Sequence, residues 1–391
     1  MLKTLLYKFS KSLFPCLLIT LSIGFTYAFS LFAPHIAQHL DASKHAVQLA
    51  FCLNIFWLGL GAALFGKLIQ SKIKTSAVIS TALLFCGLCL SSLGMQLKSL
   101  WMLYIGFGFC CGIAEGIGYV TPVLNNILWF GRGKFKGLVA SLSIVSFGLG
   151  STLCSMLFKV MMPVFGIEWI FFAYGILYLA MMSIGTAMIS KPKYAKASKK
   201  VAEFSYMELF RDSYARKSWL YMFLNISMGL VLIGSCASIL QEIHLSSDMI
   251  IIVMMLCGVF NGAGRLVFPL LSDLVCKRVT MLLLVLGLEI AVMIPAAFSY
   301  ALIPLSIVII NATYGSFFAM LPSVLSDHYG NKSLSIRHSA ILSSWGFASL
   351  FAFACTSIMT AFCSSYYFLT VLLPIVYVVN FFIVKSLAKQ Q

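Results

Sequence analysis

The chain has 391 residues, 61% of them hydrophobic and only 10% charged, and carries a formal net charge of +16. An apolar share this high with so few charges excludes a water-soluble globular protein. The excess of 27 Lys and Arg over 11 Asp and Glu invites a nucleic-acid reading, which the placement of the cations excludes.

In chain order, twelve apolar runs are expected to cross a membrane: 13–33, 48–69, 75–95, 100–121, 138–158, 168–190, 218–240, 249–271, 279–299, 301–322, 339–360 and 364–384. Each is close to the roughly 20 residues that span about 30 Å of hydrocarbon, and in lipid each must be a helix. The first run follows Lys3, Lys8 and Lys11 like a secretory leader, but it is long for one and lacks a small-x-small cleavage site, so a retained helix is expected. With the N-terminus in the cytoplasm, 23 of the cations fall on the inward side and only Lys44, Lys98 and Lys159 on the outward side. That asymmetry orients the protein with both termini cytoplasmic, and the basicity needs no nucleic-acid partner. Residues 191–217 hold eight cations and no long apolar run, so they read as a cytoplasmic linker between a half at 1–190 and a half at 218–391. Within the linker, Ser205 and Glu208 have capping-box spacing, which predicts a short interfacial helix.

The halves look duplicated. Ser22-Ile23-Gly24 matches Ser227-Met228-Gly229, and Trp57–Ala62 matches Phe260–Arg265 at an offset of 203. Pro122 matches Pro322, and Ser146–Ser151 matches Ser344–Ser349 at an offset of 198. The slow drift of the offset is better evidence than any single match. Six plus six helices in parallel repeat resemble the major facilitator architecture, an all-α integral membrane fold. The loop after run eight resembles that superfamily's Gly-x-x-x-Asp-basic pattern, with Asp273 followed by Lys277 and Arg278. In the matching loop after run two, Gln70 stands where the Asp belongs, so a charge that helps latch the inward face is expected to be missing. These three, Asp273, Arg278 and Gln70, are the gating candidates.

Within the superfamily the chain resembles the oxalate/formate antiporter branch, related to monocarboxylate transporters. The resemblance rests on Tyr27–Phe32, Gly116-Ile117-Gly118-Tyr119, Trp129-Phe130 with its basic loop, Asn261–Arg265 and Leu321-Pro322-Ser323. It implies a substrate-binding Arg at position 265 and cavity-lining aromatics at Tyr27, Tyr119, Tyr314 and Trp345. In the oxalate exchanger of this branch a Lys in span eleven supplies a second positive charge. Here that position is Trp345, and residues 339–360 contain no Lys or Arg.

Arg265 is the only cation deep inside an apolar run. A guanidinium keeps its proton, and at a helix centre it costs roughly 2.5–3.5 kcal/mol on insertion scales. An anionic substrate offsets that cost, whereas the competing structural reading pairs Arg265 with Asp273. Asn261, one turn away, is placed to orient the guanidinium. The aromatics can offer hydroxyl or indole N–H groups to a carboxylate, although any one of them also fits simple packing. Glu115, among Gly112, Ala114, Gly116 and Gly118, and Glu289, midway along run nine, are the proton-coupling candidates; bracing between helices is the alternative for Glu115.

One cavity cation suits one carboxylate. The expected protein is therefore a monomeric secondary transporter of a bacterial inner membrane, carrying a small organic anion such as formate, pyruvate or lactate by alternating access. Coupling is by proton symport or anion exchange. The alternative keeps the fold but moves a neutral or amphiphilic solute, a siderophore or a drug for efflux, with Arg265 structural. The Gly-x-Gly pairs lie inside apolar runs without the Lys-Ser/Thr of a nucleotide site, so no cofactor is expected. The twelve Cys show no metal-ligand spacing with His, so no metal is expected either. The six His residues lie in loops or near run ends, which argues against an enzyme.

Overall fold

A computed structural model of the protein describes residues 7–130, 136–192, 207, 211–275, 277–331, 333–362 and 367–390. All regular structure among the described residues is helical, as hydrocarbon demands of a chain whose backbone groups must bond to one another. We number the helices α1 (Phe9–Leu40), α2 (Lys44–Ser71), α3 (Ile73–Gln96) and α4 (Leu100–Phe130). The run Lys136–Met188 is broken at Gly166 into α5 (136–165) and α6 (167–188). There follow α7 (Ser213–Glu242), α8 (Ser247–Leu274), α9 (Arg278–Ala296), α10 (Ile303–Tyr329), α11 (Leu334–Phe362) and α12 (Tyr367–Ala388).

By length and composition, nine helices among the described residues can cross a membrane, or ten if α7, bent by 57° at residue 234, counts as one. The expected twelve crossings are not reached on that count. Lys136–Met188 enters it once, although its 53 residues are more than twice the length a crossing needs. The break is sharp because Gly166 sits at φ 62°, a left-handed conformation in which a Cβ would be strained. In α12 the described apolar stretch is only Leu372–Ala388, and much of the predicted run 364–384 has no described side chains. The proposed interfacial helix at Ser205–Glu208, apart from Met207, and the basic loop at 132–134 lie outside the described residues.

Helix starts carry the expected chemistry. Ser43 accepts a hydrogen bond from the Ala46 N–H at the start of α2, and Ser246 does the same for Met249 in α8, each satisfying an orphan donor of the first turn. The flanks expose large apolar side chains, Trp101 at 75%, Val164 at 71% and Phe298 at 86%. Such a surface suits hydrocarbon and its interface rather than water.

The helices of the two sequence halves meet along two seams, α2 against α11 and α5 against α8, with α10 also touching α5. The repeat is visible in the packing. A Cβ on Gly116 of α4 would meet the Leu58 carbonyl oxygen of α2 at 2.2 Å, and one on Gly315 of α10 would meet the Asn261 carbonyl oxygen of α8 at 2.5 Å. These contacts are the same pair displaced by the offset read from sequence. Close approach through small residues draws such helices together where lipid offers no hydrophobic drive.

Candidate functional site at the α5–α8 seam

Arg265 rises from α8 with its stem against Gly315 of α10; a Cβ there would stand 2.9 Å from the Arg265 Cγ. Its Nε donates to Asn261 Oδ1 at 3.1 Å, one turn back on α8. Nη1 crosses the seam and donates to the Ile144 carbonyl of α5 at 3.0 Å. Asn261 in turn donates to the Asn311 carbonyl of α10 at 3.1 Å, so it both orients the guanidinium and ties two helices. The competing pairing with Asp273 is not found, since that carboxylate is bonded elsewhere. Arg265 forms no ion pair among the described residues.

The guanidinium is only 3% exposed. In this conformation helices from both halves close around it.

Four expected aromatics surround this point. Tyr27 comes from α1, within a tight 3₁₀ stretch Gly24–Ala28. Tyr119 comes from α4, Tyr314 from α10 and Trp345 from α11. The Tyr119 ring lies 5.5 Å from Trp345 and 5.4 Å from Phe147 of α5, which is itself 5.3 Å from Tyr27. Phe318 of α10 bridges Tyr314, at 5.4 Å, and Trp345, at 4.4 Å. The Arg265 charge acts on all three tyrosine hydroxyls. Tyr27 Oη lies beside both Tyr314 Oη and Arg265, whereas Tyr119 Oη and Trp345 Nε1 are buried with no hydrogen-bond partner, as is Nε2 of His338 on α11. Buried polar atoms are nearly always paired, so the unpartnered Tyr119 hydroxyl and Trp345 indole N–H in the cluster around the cation suit a polar ligand. Sequence reasoning missed Phe147, Phe318 and His338. The repeat offset was a usable signal, because Phe147 is the counterpart of Trp345, and Phe318 that of Tyr119.

The two carboxyls stand outside this cluster. Glu115 Oε1 accepts from the Thr26 hydroxyl of α1 and from Asn54 Nδ2 of α2 at 3.2 Å, while its Oε2 has no partner. It braces three helices directly behind Tyr27. Glu289 is held by Thr313 Oγ1 of α10 at 2.7 Å and Asn225 Nδ2 of α7 at 3.2 Å, away from the seam.

At the basic end of the bundle the gating candidates form a matched pair of contacts. Asp273, at the end of α8, accepts from the Gly137 and Leu138 N–H groups that open α5, at 3.1 and 2.9 Å, and from Arg278. Arg278 also reaches Asp327 at 2.6 Å. Gln70, at the end of α2, accepts from the Ser335 N–H that opens α11 at 2.9 Å. The charge is absent, as the Gln at this position implies, but the amide carbonyl makes a comparable contact with a helix N-terminus.

Helices from both halves thus enclose a polar, cation-centred cluster at the core of an apolar bundle. Residues 16–353 match the Major Facilitator Superfamily, and the chain belongs to that family. It is 29% identical over 343 residues to the uncharacterized MFS-type transporter YhjX of Escherichia coli (strain K12), covering 84% of this chain and 83% of that protein. It is 24% identical over 325 residues to the oxalate:formate antiporter of Oxalobacter formigenes, covering 80% and 76%. Among solved structures, a bacterial homologue of the iron transporter ferroportin in an outward-facing state superposes with a TM-score of 0.77 at 12% identity, over 98% of this chain and 99% of that one. The proton:xylose symporter XylE superposes at 0.73 and 14% identity, over 97% and 95%. Both structures share the fold.

Proposed function

We propose that the protein is a secondary transporter of a small organic anion, a monocarboxylate, in a bacterial inner membrane, with twelve crossings in two six-helix halves joined by residues 191–217 and both termini in the cytoplasm. The observation that carries the reading is the buried Arg265 guanidinium, without a carboxylate partner among the described residues, in a cluster with the partnerless Tyr119 hydroxyl and Trp345 indole N–H. A carboxylate bound bidentately to the fork satisfies the charge and accepts from those donors. With one cation in the cluster, one carboxylate is neutralised and a dianion is left with an uncompensated charge. The relationship to an oxalate:formate antiporter supports an acid as cargo. Counting α5 and α6 as separate crossings, α7 as one and α12 as one gives the twelve.

The contacts of Asp273 and Gln70 close the basic end of both seams, so opening toward the cytoplasm requires both to break while the halves rock about the site. Coupling is by proton symport or by exchange; Glu115, with one free carboxyl oxygen and a bond to the residue beside Tyr27, is the proton carrier if symport holds, and Glu289 the second choice. The test is counterflow in proteoliposomes. Arg265→Ala is expected to abolish monocarboxylate exchange, with Arg265→Lys retaining a small fraction. Normal exchange by Arg265→Ala, or oxalate carried as well as any monoanion, would contradict the proposal.

A further inference from the structure

The α5–α8 seam is latched at its basic end by Asp273 and is loose on the other side of Arg265. A Cβ on Gly262 or Gly258, one and two turns beyond Arg265 on α8, would meet nothing within 4 Å. Met254, three turns beyond Arg265 on the same helix face, is 47% exposed. That face is turned inward, because Asn261 and Arg265 on it make the contacts with α10 and α5. The exposure of Met254 is therefore to space between the halves.

The opposing helix is polar where that space lies. Beyond Gly148, whose Cβ would stand 4.0 Å from the Arg265 Cζ, α5 carries Ser151, Thr152, Ser155 and Lys159, a spacing that keeps them on one helix face. Thr152 and Lys159 are exposed, Ser151 and Ser155 partly so. Leu149, Met156 and Val160 form a separate exposed apolar side that suits lipid. A polar stripe along an apolar helix belongs against water or a substrate path rather than hydrocarbon. The stripe also departs from the repeat: the offset of 198 puts Leu350, Phe353 and Ser357 of α11 opposite Thr152, Ser155 and Lys159. Lys159 forms no ion pair among the described residues. The acid at the start of α8, Asp248, is six residues before Met254 and so turned off the face in question.

Building on the organic-anion reading, we propose that the outer half of the α5–α8 seam is the substrate's entry vestibule, and that Lys159 is an anion-recruiting site at its mouth, about 16 Å beyond Arg265 along the seam. Two cations then handle one carboxylate in turn. Lys159, a hydrated ammonium on a flexible stem, gathers the anion from the medium through its field, and the planar fork of Arg265 holds it at the centre.

Uptake of labelled lactate and formate is measured in cells producing the full-length protein, at external ionic strengths of about 0.01 M and about 0.15 M. At the lower value Lys159→Gln is expected to raise the external KM about three- to tenfold with kcat unchanged, Lys159→Glu to raise it further, and Lys159→Arg to leave it near wild type. At the higher value the Lys159→Gln effect should shrink to about twofold or less, because the Debye length falls from about 30 Å to about 8 Å. Thr152→Cys should be labelled from the medium by a charged, membrane-impermeant thiol reagent, and Leu149→Cys should not. An unchanged KM in Lys159→Gln, a rise equal at both ionic strengths, or a fall in kcat alone overturns the recruiting role, as expected if Lys159 meets only lipid headgroups, and leaves the Arg265 site standing. No labelling of Thr152→Cys, or equal labelling of both cysteine variants, overturns the vestibule. Failure of the wild type to take up either anion overturns the organic-anion reading and the recruiting role with it.

Discussion

The two seams occupy equivalent places in the duplicated scaffold, yet they are packed differently. In the α2–α11 seam, Gly59 and Gly346 are in backbone contact: a Cβ on Gly59 would fall 2.6 Å from the Gly346 nitrogen, and one on Gly346 would fall 2.5 Å from the Phe56 carbonyl oxygen. The seam is further pinned by Ser349, which donates to the Cys52 carbonyl at 3.2 Å, and by Gln70 at the basic end. The counterparts in the α5–α8 seam are Gly148 and Gly262. A Cβ on Gly262 would meet nothing within 4 Å, and one on Gly148 would meet only the Arg265 Cζ, at 4.0 Å. One seam is shut by backbone; the other is propped apart at the same depth and holds the guanidinium. A duplicated fold gains a binding site by relaxing one copy of a contact that the other copy keeps for cohesion.

The largest effect that would break this comparison is steric. Gly59→Leu or Gly346→Leu should sharply lower the yield of folded protein, because backbone atoms at 2.5–2.6 Å cannot give way as side chains do; overpacking of a close-packed interface costs about 1–3 kcal/mol or more. Gly262→Ala should leave the melting temperature in detergent unchanged or slightly raised, since Ala favours a helix over Gly by up to about 1 kcal/mol. Equal damage from both would remove the distinction between the seams.

The latches sharpen the comparison at the basic end. Asp273→Asn gives up a charge that meets two helix-start N–H groups and Arg278, whereas Gln70→Ala gives up a single neutral hydrogen bond. The first should cost about 1.5–3 kcal/mol and the second about 0.5–1.5 kcal/mol. Spin-label distances across each seam should show more opening at the basic end in Asp273→Asn than in Gln70→Ala. The reverse order would mean that charge does not strengthen the α5–α8 latch.

A smaller effect lies outside both seams. Asp212, the cap of α7, accepts from Tyr329 Oη at 2.6 Å, Arg337 at 3.0 Å and the backbone of Tyr214 and Ala215. Burial pushes its carboxyl up, but the Tyr329 hydroxyl, the two backbone N–H groups and Arg337 outweigh it and hold it below the usual carboxylate range. A depressed folded value stabilises the fold above the unfolded pKa of about 3.9 and is lost as pH falls through the folded value. Melting of the wild type should therefore decline on acidification below about pH 4 more steeply than that of Asp212→Asn, with both seams unaffected.

Much of this was legible in the sequence because it follows from burial and repetition. Lipid leaves the backbone no alternative to helix, so apolar length marks the helices. The repeat offset predicted which residues pack alike, and Arg265, Tyr27, Tyr119, Tyr314 and Trp345 do converge. What escaped reading depends on partners from distant helices. Nothing local shows that Gln70 meets the start of α11, that Thr26 and Asn54 grip Glu115, or that Arg265 is enclosed. His338 was passed over as a residue beside a span end.

The central claim is that the guanidinium in the relaxed seam binds a carboxylate. It is tested most directly by the thermal stability of the purified protein against increasing lactate, for wild type and Arg265→Ala in parallel. The account predicts a saturable rise in melting temperature for the wild type and none for Arg265→Ala. A rise of equal size in both, or none in the wild type, would contradict it.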